Sequence, residues 1–348
     1  MTILVTGVAG FIGSNFVYYY LNQHPDSEMI GLDSLTYAGN LDNLSNLTVE
    51  QKQRFHFIKG DINDKVLLEK IYSQYDLDGI INFAAESHVD RSIHDPQIFL
   101  KTNILGTQNL LHVFKEHYDE EKGHKFLQVS TDEVYGTLGP TGLFSETTPL
   151  DPHSPYSASK TSGDLIVKAY HDTYGLYTLT TRCSNNYGPY QFPEKLIPLM
   201  INNALHHKEL PVYGDGKQVR DWLYVSDHCR AIDQVFECGL SGEVYNIGGN
   251  NERENILIVQ SVLKILREKT GDSAINEGLI KHVKDRLGHD RRYGIDASKI
   301  KKEMGWEPQV SFEQGIVLTI DWYLNHQEWT KSVISGEYLD FYQKNYFQ

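Results

Sequence analysis

The chain has 348 residues, 40% hydrophobic and 22% charged, and its 32 Lys and Arg against 46 Asp and Glu leave a net charge of −14. This is the composition of an ordinary globular chain of about two domains, or of one large α/β domain with an attached lobe. The acidic balance excludes a dedicated nucleic-acid binder, which needs a basic face against phosphates, and speaks against an anionic membrane surface. Three cysteines, Cys183, Cys229 and Cys238, form no CxxC pair and suit a reducing compartment. No apolar run approaches the roughly 20 residues of a membrane span. The opening Met-Thr-Ile-Leu-Val-Thr-Gly lacks the basic start of a signal peptide, so the cytoplasm is the expected location.

Short apolar runs predict strands at Thr2–Thr6, Met29–Leu32, Phe55–Ile58, Gly79–Phe83, Lys125–Ser130 and Tyr177–Arg182. Helical periodicity falls between them, at Phe11–Asn22, Asp64–Tyr75, Pro96–His117 and Pro155–Tyr174. Strands alternating with helices imply βαβ units, hence a doubly wound parallel sheet of Rossmann type. Beyond residue 183 the alternation weakens. Helices are expected at Glu194–His206, Asp227–Cys238, Asn255–Lys269 and Phe312–Asn325, with strands near Trp222–Val225 and Val244–Ile247. The expected fold is therefore a Rossmann-type sheet with a smaller, interleaved mixed α/β C-terminal lobe. Residues 1–183, completed by about 220–248, would form the dinucleotide-binding domain; 184–219 and 249–348 would form the lobe.

Ligands of such sheets sit at the carboxyl ends of the strands. Directly after the first strand comes Gly7-Val8-Ala9-Gly10-Phe11-Ile12-Gly13. Three glycines between a strand and a helix let the backbone turn tightly and approach a pyrophosphate at the helix N-terminus. Twenty residues past Gly13, Asp33 ends the second strand. A carboxylate there accepts hydrogen bonds from the adenosine ribose hydroxyls. It would repel a 2′-phosphate, and no Arg or Lys follows nearby, so NAD is expected rather than NADP. Asp61 and Ile62 follow the third strand as an adenine edge. The neighbouring strand-end positions Ser34, Leu35, Thr36, Phe83, Ala84 and Ala85, together with Thr102, complete the expected cofactor contacts.

Tyr156-Ser157-Ala158-Ser159-Lys160 is a YxxxK pair, which a helix places on one face. The ammonium would lower the phenol pKa from about 10 and hold the nicotinamide ribose, so that the phenol takes a proton from a substrate hydroxyl. The fifth strand runs into Ser130-Thr131-Asp132-Glu133-Val134-Tyr135-Gly136. Adjacent residues of a regular strand face opposite ways, so the chain must already be turning if both carboxyls are to enter one site. The 15 histidines show no HExxH, and His206-His207 falls on a helix-like segment where neighbours diverge; no metal site is read.

With these motifs, and with Ala84-Ala85-Glu86-Ser87-His88, Asn185-Asn186-Tyr187-Gly188-Pro189, Arg220-Asp221-Trp222 and Gly288-His289-Asp290-Arg291-Arg292-Tyr293, the chain resembles the extended short-chain dehydrogenase/reductase family over nearly its whole length. Within that family it looks most like the dTDP-glucose 4,6-dehydratases. The resemblance implies C4 oxidation of a dTDP-sugar, loss of water across C5 and C6, and return of the hydride to C6, in deoxysugar biosynthesis of the rhamnose type. Glu133 would be the C5 base. Asp132 would be the acid, kept protonated by burial and by its anionic neighbour. Thr131 would bind the C4 hydroxyl, and Tyr156 and Lys160 would serve the oxidation.

The same resemblance places Ser87, Asn185, Lys195, Leu196, Arg220, Asn255, Arg286 and His289 around the nucleotide sugar, Pro211 and Tyr213 around its base, and Asn186 toward the nicotinamide. Arg291 is a further cation suited to pyrophosphate oxygens. Leu287 stands where the family commonly has Pro. A homodimer is expected from apolar residues on more than one face of the segments 96–117 and 155–174, among them Ile98, Phe99, Leu105, Leu110, Leu165 and Ile166. A nucleotide-sugar 4-epimerase or decarboxylase, or a non-catalytic NAD-binding sensor, remains open. The acid pair speaks against the epimerase, and the intact Tyr156, Lys160 and Thr131 speak against the sensor.

Overall fold

A computed structural model describes residues 1–334; the last 14 positions assigned above to the C-terminal lobe lie outside the described residues. Strands β1 (Thr2–Thr6), β2 (Glu28–Asp33), β3 (Phe55–Lys59), β4 (Gly79–Asn82), β5 (Lys125–Thr131) and β6 (Thr178–Cys183) stand where the apolar runs predict them. With β10 (Val244–Ile247) they form one parallel sheet of order β10-β6-β5-β4-β1-β2-β3. Chain direction across the sheet reverses between β1 and β4, the switch point where such folds open a crevice. β1, β4 and β6 are buried along nearly their whole length, because helices cover both faces and leave no polar side to the sheet. One face packs Phe16, Tyr20, Leu127, Ile232 and Trp306; the other packs Leu4, Ile30, Leu68, Leu110 and Phe126.

The helix Pro155–Tyr174 matches its predicted bounds because its ends are written locally. Ser154 and Ser157 make a reciprocal capping box, Pro155 opens the first turn, and Gly175 closes the last in the left-handed region. The predicted helix 96–117 is interrupted. A helical turn at Pro96–Phe99 passes into a π-helix at Leu100–Gly106 and then into the helix Thr107–Glu116. Inside the π segment the Asn103 side chain accepts from the Glu86 N–H (2.9 Å) and donates to the Glu86 carbonyl (2.9 Å) and to Ser159 Oγ (2.8 Å). These tertiary bonds hold the widened turn, a feature common at functional sites.

The remaining strands are short, Val219–Tyr224 apart. β7 (Asn185–Tyr187), β9 (Val219–Tyr224) and β11 (Glu252–Glu254) form a second sheet, and β8 (Leu210–Tyr213) pairs with β12 (Ile280–Val283). Their core is separate, with Tyr187, Met200, Trp222, Leu263, Phe312 and Ile320. The helix Leu196–Leu205 ends before the histidine pair; His207 is left-handed (φ 52°) and bonds Asp272 at 2.6 Å. Among the described residues no helix is long and apolar enough to cross a membrane.

Candidate active site

Two connected cavities open at the carboxyl edge of the sheet. The larger, about 320 Å³, follows the switch point. Gly7, Gly10, Phe11, Ile12 and Gly13 after β1, Asp33, Ser34 and Thr36 after β2, Asp61 and Ile62 after β3, and Phe83, Ala84 and Ala85 after β4 line it, with Thr102, Tyr156 and Lys160. The glycine turn has no room for side chains. A Cβ on Gly13 would lie 2.1 Å from the Gly7 carbonyl oxygen, and Gly7 itself is left-handed (φ +72°) with Ala84 N 2.8 Å from its would-be Cβ. The helix Phe11–Gln23 starts at Gly10 with no side-chain cap and no acidic residue in its first turn. Its free N–H groups point at the cavity, a ready site for a pyrophosphate. Asp33 accepts from the N–H groups of Ala9 and Leu35, both at 2.8 Å, which aim its carboxylate at the same space. The residues present therefore fit a dinucleotide with free ribose hydroxyls.

At the cleft's inner end, β5 stops at Thr131 and a 3₁₀ turn, Asp132–Tyr135, begins at once. This is the turning that an acid pair sharing one site requires. Thr131 Oγ1 accepts from the Glu133 N–H and donates to Asp132 Oδ1, each at 3.3 Å. Asp132 is 2% exposed, and its Oδ2 has no hydrogen-bond partner. Burial, then the charges of Glu133 and Asp221, push the Asp132 carboxyl well above its ordinary range. Burial raises Glu133 too, but Arg286, Arg220 and Lys195 pull it back. Burial raises both acids, and Glu133 has three cations beside it that counter the rise.

Tyr156 is buried at the cleft wall with Phe99 edge-on at 6.3 Å, and Lys160 Nζ donates to the Val129 carbonyl at 2.8 Å. The expected lowering of the phenol by Lys160 does not hold in this geometry. Burial comes first, and with Glu133 it raises Tyr156 well above 10, while the Thr131 hydroxyl is the group that pulls it down. The ammonium is spent on the strand carbonyl, and burial lowers its own pKa.

The smaller cavity, about 160 Å³, lies toward the second lobe, and Ser87, Glu194 and Lys195 line both. Its wall also holds Glu133, Asn185, Leu196, Pro211, Tyr213, Arg220, Asn255, Arg286 and His289. In a chain of net charge −14, this pocket gathers three cations. Lys195 Nζ donates to the Ser87 carbonyl at 2.9 Å. Arg220 is 4% exposed and lies over the Tyr293 ring at 4.1 Å. Arg286 stands 3.7 Å from Asp90. Burial and Arg286 depress His289 to about 4, so it is neutral near pH 7. Buried guanidinium forks suit pyrophosphate oxygens. Leu287, where Pro was expected, is 74% exposed, and its neighbours Arg286 and His289 still face the cavity.

Three expected contacts lie elsewhere. Leu35 adopts φ 55° and contributes its N–H to Asp33 instead of lining the cleft. Asn186 is engaged at both ends, with the Ser184 carbonyl and His228 Nδ1 at 3.0 Å each, and lines neither cavity. Arg291 is on the surface, its fork closed on Asp215 at 2.8 and 3.1 Å. Thr131 and Asp132 stand just behind the walls that Ser130 and Glu133 form. Sequence reasoning missed Asp90, Gln191, Phe192, Glu194 and Gln218. Only the charge step Glu194-Lys195 after a turn-rich stretch hinted at them.

Residues 4–319 match the family described as GDP-mannose 4,6 dehydratase. The chain is 54% identical over 344 residues to a dTDP-glucose 4,6-dehydratase of Xanthomonas campestris pv. campestris (strain B100), covering 97% of each chain. Among solved structures it is similar to the dTDP-glucose 4,6-dehydratase of Bacillus anthracis in complex with NAD (50% identity, TM-score 0.86, 96% of this chain and 99% of that one). It is also similar to that of Streptomyces venezuelae with NAD and TYD bound (46% identity, TM-score 0.88, 96% and 100%). The chain belongs to the dTDP-glucose 4,6-dehydratase family, within the extended short-chain dehydrogenases/reductases.

Proposed function

We propose that this protein converts dTDP-glucose to the 4-keto-6-deoxy sugar nucleotide, a lyase reaction that needs NAD but leaves it unchanged. The observation that carries this reading is the acid pair Asp132–Glu133, with Asp132 buried and Glu133 on the wall of the cationic cavity that adjoins a dinucleotide-shaped cleft. Oxidation and its reversal alone, as in an epimerase, have no use for two carboxyls. Held by the glycine turn and Asp33, NAD would supply the acceptor for the C4 hydride and the source of its return to C6.

The protein's own groups do the rest. Lys195, Arg220 and Arg286 hold the pyrophosphate, while Pro211 and Tyr213 flank the base. Thr131 orients the C4 hydroxyl, and Tyr156 Oη takes its proton. The C4 ketone acidifies C5, Glu133 removes that proton, and Asp132 protonates the departing C6 hydroxyl. Residues 1–183 with about 225–248 act as the NAD-binding unit; 184–224 and 249 onward bind the sugar nucleotide, because the strand Val219–Tyr224, expected to complete the first unit, pairs in the second sheet. Incubation with dTDP-glucose, and separately with other nucleotide glucoses and mannoses, should yield the 4-keto-6-deoxy product from dTDP-glucose. Epimerised hexose as the sole product would overturn the reading.

The three unpaired cysteines suit the cytoplasm. The active unit is a homodimer. Ile98, Leu100, Leu105 and Leu165 remain 41–57% exposed on adjoining helices, an apolar face that a second copy would cover as a four-helix bundle. Light scattering at micromolar concentration should give twice the chain mass, and a monomer would refute the pairing.

A further inference from the structure

We propose that Tyr37, Arg91 and Glu194 form a clasp across the cofactor cleft that keeps NAD on the protein between successive turnovers; this rests on the NAD reading above. The cleft has two walls from distant parts of the chain. Ser34, Thr36, Ala38 and Gly39 after β2 line one side; Gln191, Phe192, Glu194 and Lys195 line the other. Between them the Tyr37 hydroxyl donates to Glu194 Oε1 at 2.8 Å, and Arg91 Nε donates to Glu194 Oε2 at 3.2 Å. The Arg91 guanidinium lies over the Tyr37 ring at 3.7 Å, and Phe192 packs edge-on at 5.6 Å.

Each wall is anchored without this junction. On the first, Gly39 N bonds the Thr36 carbonyl at 2.9 Å and Asn40 N bonds the Ala9 carbonyl at 3.0 Å. On the second, Gln191 Nε2 donates to the Asn186 carbonyl at 2.8 Å, and the Tyr323 hydroxyl donates to the Gln191 carbonyl. The junction is therefore not needed to shape either wall. What it does is join them. The Glu194 side chain is 3% exposed, and a carboxylate so buried costs free energy unless it is paired on both oxygens. Here both are taken. Burial and the charges of Glu194 and Glu86 push the Tyr37 phenol well above its ordinary range, so it remains a donor at any working pH. A dinucleotide lying along the cleft leaves only when this junction opens, so the stability of the junction sets the release rate. Retention suits a reaction that must return to C6 what it took from C4.

The test uses purified holoenzyme. Bound NAD is released into an excess of an NAD-consuming alcohol dehydrogenase, and the rate is compared with Tyr37→Phe, which removes one hydroxyl. Release should be about tenfold faster or more, the equivalent of losing a hydrogen bond to a charged group. Arg91→Lys, which keeps the charge but loses the planar fork and the stacking, should accelerate release in the same direction. Turnover by Tyr37→Phe should decline without added NAD and recover its initial rate at saturating NAD. Release within twofold of wild type in both variants, or a rate loss that added NAD does not restore, would overturn the clasp while leaving the dehydratase reading intact. Wild-type protein that carries no NAD and binds none would overturn both.

Discussion

Replacing Glu133 by Gln should split the reaction at its midpoint. Gln preserves the side chain's volume and leaves the Asp132–Tyr135 turn, held by Thr131, in place. Only the charge is lost, and two neighbours feel it. After burial, Glu133 is the first cause that raises the Tyr156 phenol, and the first that raises the Asp132 carboxyl. Both therefore fall in the variant. C4 oxidation, which uses the phenol as proton acceptor, keeps its rate and moves its acid limb to lower pH. Removal of the C5 proton loses its base, which costs about 10²–10⁴ in rate.

The structure favours the lower half of that range, about 10²–10³. Asp132, freed of its anionic neighbour, ionises more readily and offers a second, poorly aimed base. In single-turnover mixing with dTDP-glucose, absorbance of bound reduced nicotinamide should accumulate while exchange of the C5 hydrogen with deuterated water slows by that factor. Exchange at the wild-type rate would refute the assignment of Glu133. Loss of nicotinamide reduction in both Glu133→Gln and Asp132→Asn would show that the pair shapes the pocket instead of moving protons.

Asp132→Asn should keep C5 exchange but slow water loss. Because the folded Asp132 carboxyl sits above its unfolded value, the folded chain binds more protons between the two, and wild-type stability falls as pH rises through that window. The Asn variant lacks this decline, so its Tm should gain on wild type with rising pH; parallel curves would refute the placement. Gly13→Ala must move its new Cβ from 2.1 Å to the 3.4 Å or more of ordinary contact with the Gly7 oxygen, a retreat of at least about 1.3 Å that the tight glycine turn cannot absorb and still approach a pyrophosphate. The NAD content of the purified variant, read after denaturation, should collapse, and a full complement would refute the cradle. Arg182→Met strands Asp164, its buried partner at 2.9 Å, and should lower the unfolding free energy by about 3–5 kcal/mol in urea at constant m; a change below about 1 kcal/mol would show that the pair is replaceable.

The parallel half of the fold was legible because its signals are local. Six apolar runs and the capped helix Pro155–Tyr174 carry their own boundaries, and the glycine turn is a demand of seven consecutive residues, Gly7 to Gly13. The π-helix at Leu100–Gly106 was not legible, since Asn103's bonds to Glu86 and Ser159 span 17 and 56 positions. Strands of three or four residues, such as β7 and β11, are too short to show a period. Tyr37, Arg91 and Glu194 meet across separations of 157 and 103, with no motif to announce them. Arg291 read as an open cation because nothing in its neighbourhood of sequence names Asp215 as its partner.

The Tyr156–Lys160 spacing places both side chains on one helix face, yet the phenol is raised and not lowered, and the difference follows from the acid pair. A 4,6-dehydration needs two carboxyls beside the oxidising tyrosine, and in a buried pocket both raise its pKa along with burial itself. Lys160 cannot offset this from its place on the Val129 carbonyl. The opposition to that rise comes from groups that the YxxxK pattern does not contain. The Thr131 hydroxyl lowers the phenol directly, and Lys195, Arg220 and Arg286 oppose the rise that burial imposes on Glu133, an opposition that Asp132 receives only from Arg220 and the Thr131 hydroxyl. The cations that would grip the pyrophosphate thereby also sort the two carboxyls into base and acid. Binding and proton transfer then draw on one set of charges, so Arg220→Gln should both weaken substrate binding and shift the elimination's acid limb to higher pH. A KM effect with an unmoved pH profile would show that the two functions are separable.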